Sequence, residues 1–121
     1  MTPMLPWNEY ISEIMARVKE FAQVAPETIK GFGALDSAAG KTNHLGPKVR
    51  ELIALAVAVT TRCDGCITVH TSEAIKHGAT KEEIAEALSV AIALNAGAAL
   101  VYSTRVLDAY AAKTAAAGAK G

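Results

Sequence analysis

At 121 residues the chain suits one compact domain, residues 1–121. Apolar residues make up 51% but aromatics only 5%, so a core here would rest on close helix packing of small side chains. Twelve basic residues balance twelve acidic ones, which argues against the basic excess of a nucleic-acid-binding face and against a membrane-surface patch.

The first stretch, "MTPMLPWNEYISEIMARVK", lacks a basic start followed by an apolar run, so it does not read as a signal peptide. That points to a reducing, cytoplasmic setting, where a cysteine pair is more often catalytic or metal-binding than a permanent bridge. Ile11, Ile14, Met15, Val18, Phe21 and Ala22 recur at helical spacing, with Asn8 as the expected N-cap. Pro26 opens a short helical turn that Gly31 and Gly33 are expected to end. "ALDSAAGKTNHLG" then reads as a short helix and a loop.

Pro47 suits the first position of a helix, where its missing amide costs nothing. In the helix that follows, Val49, Leu52, Ile53, Ala56 and Val57 make one apolar face, and Leu55 and Val59 add apolar surface elsewhere, so burial on more than one side is expected. A strand over "AVAVTT" would have nothing to pair with. The next helix runs from about Asp64 to His77, and Gly78 fits a left-handed cap. Thr80 and Glu83 form a capping box for another helix. Gly97 is expected to break or kink that helix, and a last helix carries Leu100, Val101, Val106 and Leu107. Residues 84–102 are strongly apolar but turn polar at Glu86, Ser89 and Asn95, so a buried helix pair is expected there, not a membrane span. Residues 112–121 are expected to fray. The fold class is all-α.

The chemistry concentrates in "TTRCDGCITVHTSEAIKHG", which holds the only two cysteines, Cys63 and Cys66, and His70 four residues beyond. On a helix these offsets bring all three to one face. A cysteine at the helix start is exposed to free amides and the macrodipole, which favour the thiolate. A second cysteine one turn away can close a disulfide on an oxidised sulfur, and an external dithiol can reopen it. An imidazole beside them can take a proton near neutrality. Asp64 and Gly65 leave little bulk over the sulfurs. Glu51 lies on the preceding helix. If the chain turns back near Thr60 and Thr61, its carboxylate can orient His70.

Other readings of the same residues stand beside this one. The cysteines can be two small buried side chains. Cys63, Cys66 and His70 can be three zinc ligands, with Glu51 or His44 as the fourth. Haem attachment is excluded, because Ile67 follows Cys66 where that motif needs histidine. Trp7, Tyr10, Tyr102 and Tyr110 read as packing or interface residues, and His44 and His77 as structural or solvent-facing.

The segment "RELIALAVAVTTRCDGCITVHTSEAIKHGATKEEIAEALSVAI" resembles the alkylhydroperoxidase D-like branch of the carboxymuconolactone decarboxylase superfamily. The resemblance rests on Glu51, eleven residues, Cys63, two residues, Cys66, three residues, His70. It extends to "AGAALVYSTRVLDAY" and covers roughly Pro47 to Tyr110. It implies an all-helical bundle of about six to seven helices, completed by oligomerisation as a trimer or a hexamer of dimers. It also implies cofactor-free peroxide reduction, with Cys66 attacking, Cys63 resolving, and His70 and Glu51 relaying protons. The expected partners are a peroxide substrate and a dithiol reductant, such as a dihydrolipoamide-bearing protein or a thioredoxin-like donor. Some members carry a histidine directly before the second cysteine, where this chain has Gly65. Related decarboxylases of a lactone acid generally lack the cysteine pair.

Overall fold

The computed structural model describes residues 1–118. Five α-helices follow one another: α1 Trp7–Val24, α2 Pro26–Thr42, α3 Pro47–Thr61, α4 Asp64–Lys76 and α5 Lys81–Ala116. Among the described residues there is no strand, so the chain is all-α, with fewer helices than the six to seven expected.

The count differs because two glycine breaks are absent. α2 runs through Gly31 and Gly33 to Thr42, and α5 runs through Gly97 as one helix of 36 residues. A helical glycine costs roughly 1 kcal/mol relative to alanine, which the favourable neighbours of these glycines absorb. What separates α1 from α2 is Pro26, which pushes Ala25 out of the helical region to φ −134°, ψ 68°. α1 begins at Trp7 with Pro6 as N-cap, so Asn8 is the second helical residue and not the cap. The tail expected to fray stays helical as far as Ala116, as its alanines favour. Residues 119–121 of that tail lie outside the described part.

Several local signals act as the sequence implied. Pro47 is the first residue of α3. Gly78 takes φ 85° after α4. Thr80 Oγ1 accepts the Glu83 N–H at 3.0 Å, and the Thr80 N–H donates to Glu83 Oε1 at 2.9 Å.

α3 packs against both α4 and α5, and α1 packs against α4 and α2. Leu55, Ala58, Ala74 and Ala91 form the buried core, with Thr68 beside them. Of the two sides of α3 expected to be buried, the one bearing Leu55 is, at 4% exposure, with Ala58 at 2%, while Val49, Ile53 and Val57 on the other are exposed. Both faces of α3 are apolar, so periodicity alone could not choose between them.

The apolar stretch of residues 84–102 is likewise not a buried pair within the chain. It belongs to the single helix α5, along which Val90, Ile92, Leu94, Leu100, Val101 and Tyr102 are exposed. By length and composition α5 is able to cross a membrane. Its first half lies along α3, tied by Asn95 Nδ2 donating to Thr60 Oγ1 at 2.9 Å. Ile53, Ala56, Val57, Val90, Ala91 and Leu94 line an apolar groove between these two helices.

Candidate active site

The α3–α4 corner gathers the chemistry. α3 ends at Arg62, which adopts the left-handed conformation at φ 55°. That conformation costs a non-glycine residue about 1 kcal/mol, and here it reverses the chain within one residue. Cys63 follows in extended conformation as the N-cap of α4. Its Sγ accepts the backbone N–H of Cys66 at 3.1 Å. A sulfur seated there faces the positive end of the helix, where negative charge on sulfur is favoured.

Cys63 and Cys66 form a disulfide, with their Cα atoms 5.2 Å apart. Both are half-buried. The pairing leaves neither thiolate free to ligate a metal in this state. Among the described residues no group of three histidine, cysteine, aspartate or glutamate side chains is arranged to hold a metal ion. His44, named above as a possible fourth ligand, is exposed in the loop after α2.

His70 lies one turn beyond Cys66 on α4, an offset that sets Cβ atoms about 5–6 Å apart. Its Nδ1 is 2.6 Å from Glu51 Oε2, across the α3–α4 interface. The two side chains are 28% and 19% exposed, so the pair is sheltered but reachable. Glu51 reaches His70 because the two helices run back against each other around the Arg62 turn, as the sequence implied. All four expected residues therefore share one corner of the fold.

Gly65 also faces α1. A Cβ on Gly65 would come within 3.1 Å of Ile14 Cδ1, closer than such atoms ordinarily approach, so a side chain here would require Ile14 to shift. α1 is fastened nearby by the buried Thr68, whose Oγ1 donates to the Trp7 carbonyl at 2.9 Å.

A cleft of about 550 Å³ lies over the Glu51–His70 pair. Its walls come from α2, the following loop and α3, and include Ser37, Gly40, Leu45, Arg50 and Ile53. A larger opening, about 920 Å³, is a trough beside Tyr10, Ile14, Phe21 and Ile29 on α1 and α2. It is lined by neither cysteine, His70 nor Glu51; the smaller cleft is lined by His70 and Glu51 but not by the cysteines. Arg50, with Asp36 and Ser37, is a polar residue of that cleft that sequence reasoning passed over. It precedes Glu51 directly, and no spacing rule marks it.

The other singled-out side chains lie apart from the corner. His77 Nε2 is 3.5 Å from Glu73 Oε2 on its own helix. Tyr102 and Tyr110 are exposed along α5, and the Arg105 guanidinium sits over the Tyr102 ring at 4.7 Å.

The chain matches the carboxymuconolactone decarboxylase family over residues 26–109. It is 50% identical over 109 residues to an uncharacterized protein of Haemophilus influenzae, a match covering 90% of this chain and 96% of that one. An uncharacterized protein of Cupriavidus necator is 35% identical, over 80% of this chain and 86% of its own length. Among solved structures, the apo form of a carboxymuconolactone decarboxylase family protein from Legionella pneumophila is 36% identical. It superposes with a TM-score of 0.69 over 86% of this chain and 93% of its own. By sequence and by fold, the chain belongs to the carboxymuconolactone decarboxylase family.

Proposed function

We propose that the protein is a cofactor-free, thiol-dependent peroxidase. The observation that carries this reading is the juxtaposition of the Cys63–Cys66 disulfide with a His70 ring held by Glu51 at 2.6 Å. In the reduced enzyme, His70 takes the Cys66 proton through Nε2, the nitrogen that Glu51 leaves open. The Cys66 thiolate attacks the distal oxygen of a peroxide, and the O–O bond breaks. The leaving alkoxide or hydroxide takes the proton from His70 and departs as an alcohol or water. Cys66 is left as a sulfenic acid. Cys63 condenses with it, which releases water and forms the disulfide. A dithiol, such as a dihydrolipoamide-bearing or thioredoxin-like protein, then reduces that bond by exchange and leaves as a disulfide.

Assembly into a homo-oligomer is part of the same reading. Leu100, Val101, Val106, Leu107 and Tyr110 are exposed on one helix. Burying such side chains is worth roughly 1.5–3 kcal/mol each for the large aliphatic ones. The groove between α3 and α5 adds further apolar surface to cover.

The family name favours a second reading, a lyase acting on a small cyclic acid through Glu51 and His70 without the sulfurs. Steady-state peroxide consumption with a dithiol donor separates the two. Cys66→Ser is expected to abolish consumption, and Cys63→Ser to leave at most slow turnover with added thiol. Full turnover in both variants overturns the thiol reading.

A further inference from the structure

The cleft over the Glu51–His70 pair holds one strong cation, Arg50, that forms no ion pair, although the carboxylates of Glu51 and Asp36 line the same cleft. Arg50 is half-buried on α3 and lines the cleft together with Glu51 and His70. Its NH1 donates to Asn43 Oδ1 at 2.7 Å. Among the described residues it has no other hydrogen-bond partner, and no carboxylate lies within ion-pair distance of it. Elsewhere among the described residues Arg17 pairs with Glu20 and Lys48 with Glu83; what sets Arg50 apart is its place in the cleft beside Glu51 and His70. Asp36, on the α2 wall of the same cleft, is exposed and forms no pair with Arg50.

A guanidinium offers five N–H donors in a rigid fork that matches a carboxylate. Asn43 takes one, on the side toward the end of α2. It stands in the left-handed conformation at φ 51°, as the cap of α2, so the arginine is held from a fixed point of the backbone. The remaining donors border a cleft whose other walls include Leu45, Ile53 and Ala54. An apolar wall, a sheltered cation and an acid–base pair in one cleft describe a receptor for an amphiphile with one charged end.

We infer that Arg50 binds the carboxylate of the substrate, and that the preferred peroxides are organic hydroperoxides bearing a carboxylate. This rests on the peroxidase reading for the reacting group, but not for the anion site itself. It makes Arg50 a specificity residue: it orients the molecule and takes no part in the O–O cleavage.

Two measurements on the full chain test it. The first compares kcat/KM for linoleate hydroperoxide with that for its methyl ester, which differs only in charge. The acid is expected to be preferred by about tenfold or more, as a charge-assisted hydrogen bond allows. Arg50→Gln is expected to erase the preference through KM, and Arg50→Lys to keep part of it. An equal loss on acid and ester in Arg50→Gln, or no preference in the parent, overturns the inference.

The second measurement needs no peroxide. Octanoate is titrated while the His70 ring signals are followed by NMR. Saturable shifts in the parent that vanish in Arg50→Gln support the anion site, even if no peroxide is consumed. In that case the thiol reading fails and this one stands. Octanoate that leaves the His70 signals unmoved in the parent overturns the anion site, whatever the peroxide result.

Discussion

The α3–α4 corner and the second half of α5 are organised in opposite ways. In the corner, every chemically important group has a named partner inside the chain. Cys63 meets Cys66 covalently and through its amide, His70 meets Glu51, and Thr68 meets the Trp7 carbonyl. Beyond Asn95, α5 satisfies its own backbone and its own hydroxyls: Ser103 bonds back to Ala99, and Thr104 to Val101. Its large side chains face outward. Short-range spacing completes the corner within one chain, while the arm of α5 is a helix by propensity whose large side chains stay exposed among the described residues.

The sharpest way to test that contrast is to charge the arm. Leu100→Asp combined with Leu107→Asp is expected to convert the proposed homo-oligomer wholly to single chains, as sedimentation would report. The Cys63–Cys66 pair should still form its disulfide on oxidation. A variant that stays assembled would show that the arm is not what copies share.

In the corner, the expected losses fall on rate. His70→Gln and Glu51→Gln are each expected to lower kcat/KM for peroxide by about a hundredfold or more, the usual worth of a positioned acid–base group. Assembly should be unchanged. If Glu51→Gln turns over like the parent, the carboxylate only braces the helices. Gly65→Ala comes next. The new methyl meets Ile14 at 3.1 Å, so a loss of about 1–3 kcal/mol is expected in urea unfolding, the usual cost of overpacking.

The smallest effect is on pH dependence. The Lys48 hydrogen bond, followed by the Thr80 amide, holds the Glu83 carboxyl below its ordinary value. A carboxyl depressed in the folded state stabilises above its unfolded pKa, and that stabilisation is lost as pH falls through the folded pKa. The Tm difference between the parent and Glu83→Gln should therefore shrink on acidification. A constant difference from neutral pH to strong acid would contradict the assignment.

What the sequence made legible follows the same division. The relation of Cys63, Cys66, His70 and Glu51 is short-range: helical offsets on α4, plus one reversal at Arg62. Pro47, Gly78 and the Thr80–Glu83 box were equally readable, because each acts on its own backbone. Gly31, Gly33 and Gly97 misled, because a glycine weakens a helix by about as much as one good neighbour restores. The inward face of α3 was hidden because both its faces are apolar, and the choice between Leu55 and Ile53 is made by α4 and α5. Arg50 was invisible because its place beside Glu51 and His70 exists only once the cleft is assembled.

The sulfur of Cys63 is at once half of the covalent bond and the acceptor that closes the first turn of α4. The first turn of α4 is thus tied twice through one atom, to the Cys66 side chain and to the Cys66 backbone. On the peroxidase reading proposed above, reduction would cut the first tie and leave the second, so that α4 need not unwind at each turnover.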